Sequence, residues 1–360
     1  MKSAKINLKL LHILLNVNVI AGLIAFLSVI VLCIILNITR AVFIPLVFAW
    51  FIVQVIRPFS NLGNKINLHP YLNLALTLSL LVGAGFFGVR FLARLAIEIN
   101  TVYSRYASAL TQRYTDLMAL LNITPEMLAS VKWGNLGIDL LRNYAGRITG
   151  FVVDMSNTFF MTIFFLMFLM IEAPYAERKI QKAFKGRTGK NVQEVFRKIS
   201  DQISSYMLNQ SLLSIATALC VWGILELLDV ELAGGWAVLA FFLNFIPNVG
   251  SIIATILPFL MAVIQFATFF EPLIVLVLLT VIQMVIGNII GPKILSDSLG
   301  VSSVVILLSL LFWSMIWGIP GAFLSVPIAS IIKIVCENIT PLNPIAVLMS
   351  NGSSITPDEQ

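Results

Sequence analysis

Charge is what this sequence has least of. Only 11% of its 360 residues are Asp, Glu, Lys or Arg, whereas soluble domains carry about 25%. Long stretches carry none at all: 10–39, 41–56, 66–89, 155–171, 202–225, 232–270, 272–292 and 298–332. A membrane-crossing helix needs roughly 20 mostly apolar residues, so an ordinary soluble domain is excluded and a polytopic integral membrane protein is indicated. A β-barrel is excluded as well, because its strands would alternate apolar and polar residues. Cysteine is scarce: Cys33, Cys220 and Cys336 are odd in number and lie in or beside apolar runs, suggesting neither a disulfide framework nor a metal cluster. With only His12 and His69 as histidines, no triad or metal site is assembled by spacing. No catalytic residue, metal ligand or cofactor is expected, and an enzyme is the least favoured class, since no nucleophile, base and oxyanion donor can be grouped.

What is abundant is apolar surface, at 59% of residues with a mean hydropathy of +0.97. The net charge of +6 does not point to nucleic acid, because the basic residues sit between apolar runs. Eight of the 23 fall in 172–206: Arg178, Lys179, Lys182, Lys185, Arg187, Lys190, Arg197 and Lys198. Positive loops beside membrane spans mark the cytoplasmic face. Placing Lys2, Lys5 and Lys9, then Arg57 and Lys65, then the 172–206 cluster on that face makes the first four spans, near 14–38, 41–56, 71–95 and 150–171, alternate consistently. The basic N-terminus reads as the start of a retained first span rather than a cleaved leader. The expected localisation is a bacterial inner membrane, multi-pass, with the N-terminus cytoplasmic.

Five regions follow. Residues 1–96 hold three spans; 97–149 form an extracytoplasmic amphipathic helical insert, where Leu110, Tyr114, Leu117, Met118 and Leu121 recur at helical spacing. Thr124-Pro125-Glu126 there reads as a helix start. Residues 150–206 hold the fourth span and a basic cytoplasmic segment broken around Gly186 to Gly189. A C-terminal core over 207–340, with a fifth span at 207–228, precedes a polar tail at 341–360.

That core does not fit simple spans. As one helix at 1.5 Å per residue the run 298–332 would be about 50 Å long, against a hydrocarbon core of about 30 Å. Breakpoints appear at Gly318-Ile319-Pro320-Gly321 and Pro327. The run 232–270 shares the design, with Pro247-Asn248-Val249-Gly250 in the middle and Pro258 eight residues later. Proline removes a donor and glycine permits the turn. The two segments, separated by a more regular span at 272–292, read as helical hairpins or discontinuous helices, or else as proline-kinked packing helices. The fold class expected is an all-α integral membrane protein of about eight hydrophobic segments, with broken or re-entrant helices in the C-terminal half. If 232–270 crosses once, Lys293 lies outside; if it folds back, Lys293 lies inside.

Broken helices in corresponding positions point to a transporter's binding site, because freed backbone groups must line a cavity or the protein interior. The polar side chains there are uncharged: Asn244, Asn248 and Ser251 at the first break, Gln283 and Asn288 on the regular span. Asn244 and Asn248 share one helical face if the helix continues to Pro247. Buried amides need partners, either exposed backbone or a polar solute. Ser309, Trp313 and Trp317 recur every four residues and can stack on a solute or simply pack. Gly83-Ala84-Gly85-Phe86-Phe87-Gly88 matches a dinucleotide pattern by letter, but inside an apolar span it reads as small residues that let helices approach.

Pro247-Asn248-Val249-Gly250-Ser251 with Pro258, then Gly287-Asn288-Ile289-Ile290-Gly291-Pro292-Lys293, then Leu299-Gly300-Val301-Ser302 and the stretch from Leu308 to Pro327, resemble in order and spacing the autoinducer-2 exporter family of bacterial membrane proteins. The resemblance implies a transporter; some relatives are described as sodium or lithium/proton antiporters. From the residues themselves, the candidate substrate-binding positions are Asn244, Pro247, Asn248, Gly250, Ser251, Gln283, Asn288 and Trp313, and the hinge or broken-helix positions are Pro258, Gly287, Pro292, Gly318, Pro320, Gly321 and Pro327. The expected partners are a small polar solute and membrane lipid, with no nucleic acid, and the resemblance further implies a homo-oligomer, with a pentamer among the assemblies. Gly291 stands where the family commonly has an acidic residue. The expected activity is export of a small polar signal, autoinducer-2, by alternating access. The alternatives are a sodium (lithium)/proton antiporter or a non-transporting membrane scaffold.

Overall fold

A computed structural model describes residues 2–65, 157–173, 187–294 and 300–351, with shorter pieces between 72 and 101 and between 175 and 183. Regular structure among the described residues is helical, with one isolated bridge, Val301 to Ser350. In chain order the helices are α1 (Lys2–Ile38), α2 (Arg40–Lys65), α3 (Ala75–Gly88), α4 (Asn157–Ala173), α5 (Arg187–Leu227) and α6 (Ala233–Leu243). They continue with α7 (Val249–Gln265), α8 (Phe270–Gln283), α9 (Ser303–Trp317), α10 (Ile319–Glu337) and α11 (Asn343–Met349). Long apolar stretches able to cross a membrane lie in α1, α2, α5, α10 and the run from Phe270 to Ile294. The class is all-α, as the composition indicates. The expected insert helices at 97–149 lie outside the described residues, apart from Ile97, Glu98 and Thr101.

Two elements differ from the sequence reading. The fifth span and the basic segment before it form one helix, α5, whose 41 residues extend about 62 Å, twice the hydrocarbon thickness. Neither glycine nor proline interrupts residues 190–222, and its first turns carry the charge, with Lys198 and Glu194 paired at 3.7 Å. The second difference lies in the span expected to be regular. After Gln283 it opens into a π-helical stretch, Met284–Ile290, centred on Gly287-Asn288, a geometry that recurs at functional sites.

The run 232–270 folds back. α6 has 11 residues and α7 has 17, about 17 Å and 26 Å, and both are too short to span the core alone. At the far end of α7 the Gln265 amide staples the hairpin to its own origin. Its Nε2 donates to the Asp229 carbonyl at 2.5 Å, and its Oε1 accepts from the Glu231 N–H at 2.8 Å. Asp229 and Leu232, at φ 52° and 63°, make the turn out of α5, and Trp236 Nε1 donates to the Glu231 carbonyl. The run Phe270–Ile294 then travels the opposite way, so Lys293 returns to the end of the bundle from which α5 starts. Replacing Gln265 by Leu removes two hydrogen bonds at the partly exposed base of the hairpin and costs about 1–2 kcal/mol. The expected result is faster amide exchange over 228–232, with exchange around Ile203 unchanged.

Residues 300–332 form a second hairpin, inserted from the other end. α9 and α10 lie against each other, joined at Gly318, whose φ of 66° is accessible without strain to glycine. Its base is closed by the C-terminal segment. The Ser302 N–H donates to the Met349 carbonyl at 2.8 Å, and the Asn351 N–H to the Gly300 carbonyl at 3.1 Å. α7 continues through Pro258 and α10 through Pro327; both prolines are fully buried, and neither ends its helix.

Candidate functional site

The two hairpins meet tip to tip. Each tip is made tight by a glycine in the first turn of the returning helix. A Cβ on Gly250 would collide with the Leu243 carbonyl, and one on Gly321 with the Trp313 carbonyl, so each helix start nests against the last turn of the helix before it. The tips are then locked face to face. Phe245, at the first break, stacks on Phe323 of α10 with ring centroids 4.3 Å apart and planes 22° from parallel. Ile246 packs with Leu310 and Ala322. Around this junction one cluster joins Ile44 and Phe51 of α2, Ile203, Tyr206 and Met207 of α5, and Ile316, Trp317, Leu324 and Val326 of the second hairpin.

The polar groups of the first tip are held by α5. Asn244 caps the end of α6; its carbonyl accepts from Gln210 Nε2 at 2.6 Å, and its Nδ2 donates to Ser214 Oγ at 3.0 Å. The Asn244 side chain is thus engaged within the protein. Asn248 is different: at φ 60° and ψ −52° it starts α7 with its side chain exposed. α6 has already ended at Leu243, so Asn244 and Asn248 do not share a helical face. Ser251 turns back and donates to the Asn248 carbonyl at 2.8 Å, Pro247 is half-buried, and Gly250 is buried.

Gln283 and Asn288 lie on the neighbouring helix at a matching depth. α7 runs 17 residues from Val249 to the α7–α8 turn, and Gly287 and Asn288 are the 18th and 19th residues counted from Phe270 on the other side of that turn. The two antiparallel helices therefore bring Asn248 and the π stretch to one level, Asn288 exposed and Gln283 half-buried. Gly291 is buried beyond it, whereas Pro292 and Lys293 are exposed.

The aromatic stripe of α9 is used for packing. Trp317 is buried and donates its Nε1 to the Leu36 carbonyl of α1 at 3.1 Å, while Asn37 Nδ2 donates to the Ile316 carbonyl at 3.2 Å. Trp313 lies 5.0 Å from Trp317, ring to ring, against the central cluster. Ser309 donates to the Ser325 carbonyl at 2.7 Å, tying α9 to α10. Of the small-residue stretch 83–88, Gly85 approaches the Phe159 ring of α4 closely.

Sequence reasoning passed over the α5 side of this site. Ser200, Ser204, Gln210, Ser214 and Thr217 are all buried and recur at three- and four-residue steps or multiples of them, a polar stripe along one face. The signal lies in the helical spacing of these residues over 200–217 and is obscured by other polar residues beside them, such as Ser205, Asn209 and Ser211. Lys333 was passed over as well. It is buried near the base of the second hairpin, paired with Glu337 at 2.9 Å, and beside Gly300, whose φ is 57°. Among the described residues no Asp or Glu is buried as a whole residue, although Glu231 Oε2 at the base of the first hairpin is shielded from solvent, and no group of three or more metal-ligating side chains assembles.

A family model described as AI-2E family transporter matches residues 23–340. The AI-2 transport protein TqsA of Escherichia coli K12 is 30% identical over 328 residues, covering 90% of this chain and 93% of that protein. A putative transport protein of Haemophilus influenzae is 28% identical over 329 residues, with 90% and 94% covered. The putative transport protein YhhT of Escherichia coli K12 is 35% identical over 203 residues, 53% of each chain.

Proposed function

We propose, for a chain that belongs to the AI-2E family of membrane transporters, that it exports a small uncharged polar signal, autoinducer-2, by alternating access at the junction of its hairpin tips. The observation that carries this reading is the meeting of two oppositely inserted hairpins through the Phe245–Phe323 stack. Three of the four hairpin legs, α6, α7 and α9, are shorter than a full span, only α10 being long enough to cross, and the two tips meet through side chains. The N-termini of α7 and α10 and the C-termini of α6 and α9 all converge there, and each leaves backbone groups without intrahelical partners. Asn248, Asn288 and Ser251 add hydrogen-bonding side chains of the kind a hydroxylated solute requires.

Access alternates when one hairpin swings from the other. The first is anchored at the Asp229–Gln265 end, the second at the Gly300–Asn351 end, and each tip can part without unfolding its base. By the distribution of basic residues the α5 start is cytoplasmic, so the second hairpin enters from the cytoplasm and the first from outside. A chain with a buried carboxylate at this level would favour a cation. The exposed amides favour an uncharged solute.

Radiolabelled autoinducer-2 flux in inverted vesicles containing the full chain, against vesicles without it, tests the reading. Accumulation above control is expected, and Asn248→Leu and Asn288→Leu are each expected to lower it roughly tenfold, the equivalent of one hydrogen bond of about 1.4 kcal/mol. Normal flux in both variants would remove these amides from the site. A sodium-dependent proton signal with no autoinducer-2 flux would replace export by antiport.

A further inference from the structure

Two buried polar atoms have no hydrogen-bond partner among the described residues and come to the same depth: Gln54 Oε1 of α2 and Ser330 Oγ of α10. The depth follows from the tip contact. Phe323 stacks on Phe245, the neighbour of Asn244, which Gln210 holds. Ser330 lies seven residues beyond Phe323 and Ser204 six residues before Gln210, about 10 Å in each case, both toward the end where α5 begins. Gln54 is level with Ser204, since Ser204 Oγ donates to the Gln54 carbonyl at 2.7 Å. Gln54 is 4% exposed and Ser330 0%.

A buried amide oxygen without a donor is costly and calls for an explanation. A packing role does not supply one, because leucine would fill the same volume with no unpaired oxygen. We infer that Gln54, Ser200, Ser204 and Ser330 form a second polar station between α2, α5 and α10, which takes the hydroxyl groups of an uncharged solute one step from the hairpin tips. The inference rests on the export reading and names where the solute waits on the α5-start side. Gln54 Oε1 accepts a solute O–H, and the serine hydroxyls donate or accept as the solute turns. Arg57 and Asp201, paired at 3.1 Å with both side chains exposed, lie about one turn out from Gln54 and Ser204, level with Ser200, and mark the mouth. In the present conformation the station is closed.

The test uses the full chain in vesicles with Cys33 and Cys220 replaced by alanine, leaving buried Cys336 of α10 as the internal reference. Ser204→Cys and Ser330→Cys are expected to react with a small hydrophilic thiol reagent about tenfold faster than Cys336, as access requires, and to be protected by autoinducer-2. Reactivity no greater than that of Cys336 would overturn the station, whatever the flux assay shows. Reaction without protection, while Ser251→Cys at the tip is protected, would overturn the station and leave the export reading intact. Protection by sodium alone at both levels would overturn both. Independently, Gln54→Leu is expected to keep or raise Tm while lowering flux roughly tenfold, and Gln54→Asn to keep part of the flux. A lowered Tm with normal flux would make Gln54 a structural residue.

Discussion

Gly250→Ala and Gly321→Ala are each expected to destabilise the protein by roughly 2–4 kcal/mol, far more than alanine for glycine ordinarily does. The added methyl meets backbone, not a flexible side chain. At Gly250 it meets the Leu243 carbonyl, and at Gly321 the Trp313 carbonyl and the Trp317 Cβ. Neither obstacle can rotate away, so the two legs of the hairpin must separate and the tip must leave its partner. Gly223 of α5 supplies the control. A Cβ there has nothing within 4 Å, and Gly223→Ala should be neutral or stabilising by up to about 1 kcal/mol, the helix-propensity difference. Unfolding in detergent followed by tryptophan fluorescence separates the cases. Equal effects at all three positions would show that the hairpins tolerate spreading.

Phe245→Ala is expected to cost about 3–5 kcal/mol, the range for deleting a buried phenylalanine, and to abolish transport. Phe245 is 5% exposed and belongs to the central cluster, so alanine leaves a cavity where the two tips are joined. The more informative measurement is the cycle with Phe323→Ala. The stacked rings should show a coupling of about 0.5–1.5 kcal/mol, and additivity would mean that each ring packs independently. Phe245→Leu keeps most of the volume and should cost less than about 1.5 kcal/mol. If it also lowers flux, the ring face is needed for more than filling space.

Much of this arrangement is legible in the residues alone. The charge-free runs located the apolar helices, because no charged side chain is accommodated cheaply in hydrocarbon. The Pro247-Asn248-Val249-Gly250 and Gly318-Ile319-Pro320-Gly321 segments located both breaks, because proline and glycine act through the local backbone. Pro258 and Pro327 carried the same letters and broke nothing. A single missing N–H inside a packed helix is tolerated when neighbouring helices cover the kink, and covering is a property of neighbours. The π stretch at Met284–Ile290 was equally invisible, since an extra residue per turn leaves no mark on composition.

By itself the sequence determined that the chain is helical, membrane-embedded, interrupted twice in its last third and more basic at one end. All of these follow from hydropathy, local backbone chemistry and the distribution of charge. Only the tertiary structure decided between crossing and folding back, through the Gln265 amide reaching Asp229 and Glu231. It alone brought Phe245 to Phe323, engaged Asn244 with Gln210 and Ser214 while leaving Asn248 exposed, and set Gln54 and Ser330 at one depth. The contacts among these join residues between 30 and 78 positions apart. Short-range propensity carries no information at such separations; what selects them is which apolar faces exclude the medium together and which buried polar groups find one another.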